Sequence, residues 1–67
     1  MRKYAYVAFN ELGEEKTESI NEKEILESCW NDWSKRNKDN YQDVSDVVKE
    51  GICLQEWVVA NFAWCID

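Results

Sequence analysis

The first ten residues contain a run of aromatic and aliphatic side chains that predicts a β-strand over residues 3–10. Tyr, Val and Phe favour strands, and successive side chains of a strand point to opposite faces of the sheet. Both faces of this strand are apolar. One carries Tyr4, Tyr6 and Ala8, and the other carries Ala5, Val7 and Phe9. We therefore expect a central strand that is covered on at least one side.

A turn and a second strand are predicted directly after the first. Asn10–Gly13 has the residue types of a turn, and Gly13 is free to adopt a positive φ angle. Segment 15–20 can return as the second strand of a hairpin, and it carries the charges of Glu15, Lys16 and Glu18. Charge on an edge strand discourages pairing with a further strand, so this composition suits a solvent-facing edge. The pattern predicts a β-hairpin.

Helical spacing of apolar residues begins after this hairpin. The stripe consists of Ile25, Leu26, Cys29, Trp30 and Trp33. Asn21 followed by Glu24 matches a capping box, and Ser19 followed by Glu22 offers the same arrangement. Acidic residues at the start and basic residues at the end complement the helix dipole. The sequence predicts a helix over residues 21–37.

A short second helix is predicted after a polar loop at residues 37–41. Asp43 can cap this helix, which would run to Glu50 and stop at Gly51. Its inward residues would be Val44, Val47 and Val48.

Residues 54–66 fit either a helix or a strand. We favour a helical turn from Leu54 that leads into a strand over Val58–Ile66, where β-branched and aromatic residues dominate. This strand could pair beside residues 3–10. The predicted fold is a single small α+β domain in the order ββααβ, with a three-stranded, mostly antiparallel sheet and one long and one short helix.

Composition limits the ways in which so short a chain can be stabilised. It has 67 residues, nine aromatic residues, no histidine and three cysteines without a CxxC pair. A disulfide framework favours an even number of cysteines, and a structural zinc needs four ligands. We expect Cys29, Cys53 and Cys65 to be reduced core residues and expect no metal or cofactor. A domain of this size has little stability in reserve, so we expect a homodimer or larger assembly, joined through the first strand or the C-terminal segment.

The net charge of −6 lies in one third of the chain. Segment 11–32 holds eight acidic residues and two lysines, whereas the other 45 residues hold six acids and six bases. The acids are Glu11, Glu14, Glu15, Glu18, Glu22, Glu24, Glu27 and Asp32. Such a field repels nucleic acid and membranes and attracts basic surfaces. The charge can serve solubility alone or form an acidic partner-binding face.

Catalytic chemistry is not expected. Without histidine the usual general base near neutral pH is missing, and the two glycines form no phosphate-binding loop. The chain has no signal-peptide pattern and no apolar stretch of membrane-spanning length, which favours a cytoplasmic protein. We expect core positions for Trp30, Trp57 and Trp64. Trp33 is followed by polar residues, and we expect it to be partly exposed and to anchor an interface.

Two segments carry a family resemblance. They are NEKEILESCWNDW at Asn21–Trp33 and CLQEWVVANFAW at Cys53–Trp64. With the aromatic first strand, they resemble short acidic proteins carried by phages and prophages, a type similar to anti-CRISPR and anti-restriction inhibitors. The resemblance implies no catalytic residue. It implies an inhibitor that blocks a basic, nucleic-acid-binding bacterial protein through an acidic face that mimics nucleic acid. The alternative is an oligomeric module that binds or sequesters a small ligand.

Overall fold

Three strands and two helices follow one another in the computed structural model, which describes residues 2–67. They are β1 (Lys3–Phe9), β2 (Glu15–Asn21), α1 (Glu22–Arg36), α2 (Asp46–Ala60) and β3 (Trp64–Cys65). The predicted α+β class and the order ββααβ are confirmed.

The strands form one antiparallel sheet in the order β2-β1-β3. β1 pairs with β2 along its whole length, from Lys3 opposite Asn21 to Phe9 opposite Glu15. β3 is short and pairs only two residues, with Trp64 opposite Ala5. The predicted central position of the first strand is confirmed, because β1 has a partner on each side.

The N-terminus of α1 follows the predicted capping box. The Asn21 side chain accepts a hydrogen bond from the Glu24 N–H at 2.9 Å, and the Glu24 carboxylate accepts one from the Asn21 N–H at 3.3 Å. Two N–H groups that have no partner inside the helix are thereby satisfied. At the other end the Asn37 amide donates to the Trp33 carbonyl at 2.9 Å. The predicted range 21–37 matches α1 together with its two capping residues.

The prediction of a short helix from Asp43 to Glu50 is wrong. α2 begins after Ser45, whose hydroxyl accepts from the Val48 N–H at 3.4 Å, and continues through Gly51. A glycine inside a helix costs only about 1 kcal/mol relative to alanine. Burial of Cys53 against α1 offsets that cost. Two of the three valines predicted to face inward, Val47 and Val48, are exposed.

The predicted strand over Val58–Ile66 is also wrong in extent, because α2 includes residues 58–60. The helix ends in a Schellman motif, in which the Phe62 N–H donates to the Val59 carbonyl at 3.2 Å and the Ala63 N–H to the Val58 carbonyl at 2.9 Å. Phe62 has the left-handed φ of 52° that this ending requires. The chain therefore reverses before β3 begins, and only two residues pair as a strand. The predicted pairing of this segment beside β1 is confirmed.

The helices cover one face of the sheet, so the molecule has two layers. Tyr6 of β1 meets Trp57 of α2 edge to face, with ring centroids 5.4 Å apart. Tyr4, two residues earlier on the same face, is buried. Ile25 of α1 is fully buried, and Cys53 of α2 is buried where it meets Cys29 of α1. The opposite face of the sheet has no layer of helices or strands over it within residues 2–67.

Candidate binding surfaces

The eight acidic residues do not lie on one continuous face. Glu15 is paired with Phe9 and Glu18 with Tyr6, so their side chains point to opposite faces of the sheet. The remaining acids lie beyond the two ends of β2. One end leads into the hairpin turn, with Glu11 and Glu14, and the other leads into α1, with Glu22, Glu24, Glu27 and Asp32. These ends are about 20 Å apart, since a seven-residue strand rises about 3.3 Å per residue. The structure thus divides the predicted acidic face into two groups.

The first group lies at the end of the hairpin, in residues 10–15, which we call the acidic tip. Its sequence NELGEE contains three carboxylates, at Glu11, Glu14 and Glu15, and no basic residue. Leu12 stands among them with 84% of its surface exposed. On the face of β1 that the helices pack against, Tyr4 is buried whereas Tyr6 and Ala8 are half-buried, so coverage by the helices decreases toward this end of the hairpin. The tip is accessible to a large partner.

Hydrogen bonds fix the backbone of the acidic tip. The Asn10 side-chain oxygen accepts from the N–H groups of Leu12 and Glu14, both at 2.9 Å. The Gly13 N–H donates to the Asn10 carbonyl at 3.0 Å, and Gly13 adopts the φ of +80° that the turn requires. A turn ordered before binding loses less conformational entropy when a partner docks.

The second acidic group, on α1, already has local roles. Glu24 completes the capping box, and Glu22 lies in the first helical turn, where negative charge offsets the helix dipole. Arg2 lies close to this turn, because its carbonyl accepts from the Glu22 N–H at 3.1 Å. Glu27 and Asp32 are exposed farther along the helix. This group is therefore interspersed with structural contacts and positive charge.

The carboxylates of the acidic tip have few such contacts. Among residues 2–67, Glu11 and Glu15 form no ion pair and no side-chain hydrogen bond, and Glu14 accepts only from the Asn10 amide at 3.2 Å. Lys16, the nearest basic residue in sequence, is 3.5 Å from Glu18 instead. The tip charges remain available to an external cation.

Trp33 was expected to be partly exposed, and this is wrong. Its side chain is only 2% exposed because it lies between two aromatic rings and α2. Trp30 stacks on it at 5.5 Å and Tyr41 at 5.8 Å, both nearly parallel. Its indole N–H donates to the Glu56 carboxylate at 2.7 Å. Trp33 is a core residue and cannot contact a partner in this conformation.

Trp64, and not Trp33, is exposed. It was expected in the core but is 45% exposed, because β3 places it on the face of the sheet that the helices leave open. Alternation along β1 and β3 puts further apolar side chains on that face. This open sheet face consists of Val7, Phe9, Trp64 and Ile66, which are exposed, together with Ala5, which is buried. The sequence signal that could have identified it was the apolar pattern on both faces of the first strand.

The three thiols are not equivalent. Cys29 and Cys53 meet between the helices with sulfur atoms 3.1 Å apart. Burial, followed by the hydrogen bond with Cys29, raises the pKa of the Cys53 thiol to about 12, which makes it a poor nucleophile. Cys65 was expected in the core, but it is exposed on short β3 and donates to the Asp67 carbonyl at 3.1 Å.

Two depressions lie along α2. The larger, of about 440 Å³, is shallow and lined by Ile52, Gln55, Glu56, Val59 and Ala60. The smaller, of about 270 Å³, lies at the end of the helix pair beside Trp33, Arg36 and Trp57. Within residues 2–67, no group of three or more cysteine or carboxylate side chains is arranged to hold a metal ion. Neither helix in that range has the length and apolar content needed to cross a bilayer.

Comparison of the chain with models of protein families, with curated proteins and with solved structures finds no match. The resemblance to phage proteins therefore stays a prediction.

Proposed function

We propose that this chain is a non-enzymatic inhibitor that docks its acidic tip on the basic, nucleic-acid-binding surface of a bacterial defence protein. The observation that carries the proposal is the tip itself. Glu11, Glu14 and Glu15 surround exposed Leu12 on a fixed turn without a basic residue among them.

Electrostatics favours a basic partner for this tip. Three carboxylates within five residues resemble the closely spaced charges of a phosphate backbone, which Lys and Arg side chains bind. Such a field speeds encounter with a positive surface, whereas it repels nucleic acid itself. The basic site that is occupied would then be closed to its nucleic acid.

Leu12 supplies the second component of recognition. Charge pairs at the rim of an interface affect the association rate more than the dissociation rate, and a buried apolar anchor slows dissociation. Leu12 is placed for this role because its N–H is tied to Asn10 while its side chain extends into solvent. We expect it to enter an apolar depression between the basic residues of the partner.

The bacterial and anti-defence assignment draws its support from the resemblance of Asn21–Trp33 and Cys53–Trp64 to phage-encoded proteins. The charge and shape of the tip support the chemistry of the partner. These two parts of the proposal are separate, and the experiment below distinguishes them.

A second candidate function is an oligomeric module that binds a small ligand. The depression of about 440 Å³ along α2 favours it, since that volume lies within the usual range of ligand sites. Its lining offers Gln55 and Glu56 as polar groups and no basic residue. An anionic nucleotide would therefore find no charge partner there, and an apolar or cationic ligand fits better.

The test is affinity capture from bacterial lysate with three immobilised proteins. The first is the natural chain, and the second carries Glu11→Gln, Glu14→Gln and Glu15→Gln. The third is a control with the same change in charge at exposed positions elsewhere, Glu27→Gln, Asp32→Asn and Glu50→Gln. Circular dichroism verifies that all three are folded.

We expect the natural chain and the control to capture the same basic, nucleic-acid-binding protein, and added duplex DNA or RNA to release it. The tip variant should capture at least tenfold less. Equal capture by tip variant and control would refute the acidic tip. A basic partner without any role in defence would refute only the anti-defence assignment. Recovery of a small molecule and no protein would favour the second candidate.

A further inference from the structure

The open sheet face is a continuous apolar surface. Trp64 is paired with Ala5, and Ile66 lies two residues farther on the same side, where its N–H donates to the Lys3 carbonyl at 2.9 Å. The β1 residues Val7 and Phe9 continue the surface toward the hairpin turn. The exposed fractions are 66% for Phe9, 50% for Ile66, 45% for Trp64 and 41% for Val7.

Its size matches one side of a protein interface. If a large side chain has about 150–250 Å² of surface, these four leave on the order of 300–500 Å² of apolar area in water. A standard interface buries about 800 Å² per partner, of which a little more than half is apolar. The open sheet face supplies that apolar share from one copy, and its polar margins on β2 can supply the rest.

The charges on this face are self-complementary. The outward residues of β2 are Glu15, Thr17, Ser19 and Asn21, so Glu15 is the only acid among them. Lys3 is the only charged outward residue of β1, and it lies at the opposite end of the strand pair from Glu15. The other acids of segment 11–32 lie in the turn, on the inner face at Glu18, or on α1. Two copies can therefore meet here without apposing their net negative charge.

We infer that a second copy of this chain covers the open sheet face. The two-fold axis lies in the interface at right angles to β1, so that the first strands of the two copies run antiparallel. Trp64 and Val7 of each copy then pack against the open sheet face of the other copy. Lys3 of each copy lies near the end of the partner's sheet that carries Glu15. An axis parallel to β1 would bring like charges together and is disfavoured.

This arrangement places the two acidic tips at opposite ends of the dimer. Each tip remains accessible, because Glu11 and Leu12 lie beyond the end of β1. The dimer is therefore a bivalent binder, which strengthens attachment to a repeated or symmetric target. The dimer is carried by the apolar residues Val7, Phe9, Trp64 and Ile66, which the proposed function does not use; Glu15 alone belongs both to the acidic tip and to the open sheet face.

The first test compares molar masses by light scattering over a range of concentrations. The natural chain should show twice the 8.0 kDa monomer mass at high concentration. The double variant Val7→Lys and Phe9→Lys should remain monomeric while its near-ultraviolet circular dichroism persists. The control Val47→Lys and Val59→Lys changes two exposed valines on α2 and should still dimerise. A natural chain that is monomeric at millimolar concentration would overturn the inference, and so would loss of the dimer in the control.

The second test uses charge reversal, which leaves the apolar core and the strands in place and decides the matter if the first variant does not fold. Lys3→Glu and Glu15→Lys should each raise the dimer Kd at least tenfold at low salt. The double reversal, Lys3→Glu with Glu15→Lys, should restore it to within threefold of the natural value. Equal weakening in the single and double variants would overturn the two-fold arrangement.

Discussion

The indole N–H of Trp33 donates to the carboxylate of Glu56 across the helix pair, with 2.7 Å between the two heavy atoms. This bond joins α1 to α2 beside the stacked rings of Trp30 and Tyr41. A tryptophan in a core needs a partner for its N–H group, and here an otherwise exposed glutamate provides it. The contact explains why the tryptophan nearest the polar end of the helix stripe is buried.

Removing the Glu56 carboxylate should destabilise the fold by about 1–2 kcal/mol, because the Trp33 N–H would lose its charged acceptor. Urea unfolding of Glu56→Ala measures the effect. Glu56→Gln keeps an oxygen acceptor and should lose less. The control Glu50→Ala changes an exposed residue on the same helix and should stay within about 0.5 kcal/mol of the natural chain. Equal losses in Glu56→Ala and Glu50→Ala would contradict this role.

Replacing Phe62 by glycine should stabilise the protein by up to about 1 kcal/mol. Phe62 holds a left-handed backbone at the end of α2, where glycine is the usual residue, and its side chain is exposed. Tyr41 has a similar φ of 60°, but its ring stacks on Trp33. Tyr41→Gly should therefore destabilise, and thermal unfolding compares the two variants. A lower melting temperature for Phe62→Gly would show that its ring makes a stabilising contact.

Stability should decrease as the pH rises from about 9 to about 12, in part because of Cys53. Burial raises the pKa of this thiol from 9.0 to about 12, so in that window the unfolded chain loses a proton that the folded chain retains. Loss of that proton on unfolding favours the unfolded state as the pH increases. Urea midpoints across this range should decline less steeply for Cys53→Ala than for the natural chain. Cys65→Ala removes an exposed thiol, and its urea midpoint should decline as that of the natural chain does. Parallel curves for all three proteins would count against a role for Cys53.

Binding of the acidic tip to its partner should weaken steeply with salt. The screening length decreases from about 30 Å at 0.01 M to about 3 Å at 1 M ionic strength. Titration calorimetry with the captured partner gives Kd at several salt concentrations. The variant with Glu11→Gln, Glu14→Gln and Glu15→Gln should bind weakly at low salt with a shallower salt dependence. An affinity that is independent of salt in the natural chain would exclude electrostatic docking.

Local features of this fold could be predicted from the sequence because they depend on neighbouring residues. The capping box of Asn21 and Glu24 closes within four residues, and the turn at Asn10–Gly13 within a similar span. The apolar pattern of residues 3–10 on both strand faces indicated a central strand. The order ββααβ follows from these short-range signals, and so does the location of the tip carboxylates in one turn.

Only the tertiary structure decided which aromatic residues are buried and where α2 ends. Trp33 of α1 is buried because Glu56 of α2 and Tyr41 of the loop before α2 contact it. These contacts join separate elements of the fold. Trp64 is exposed because no layer covers the open sheet face. α2 passes Gly51 because the burial of Cys53 against α1 outweighs a weak local stop signal. Both faces of β1 carry apolar residues, so the sequence pattern does not indicate which face is covered. Burial depends on which face the helices pack against.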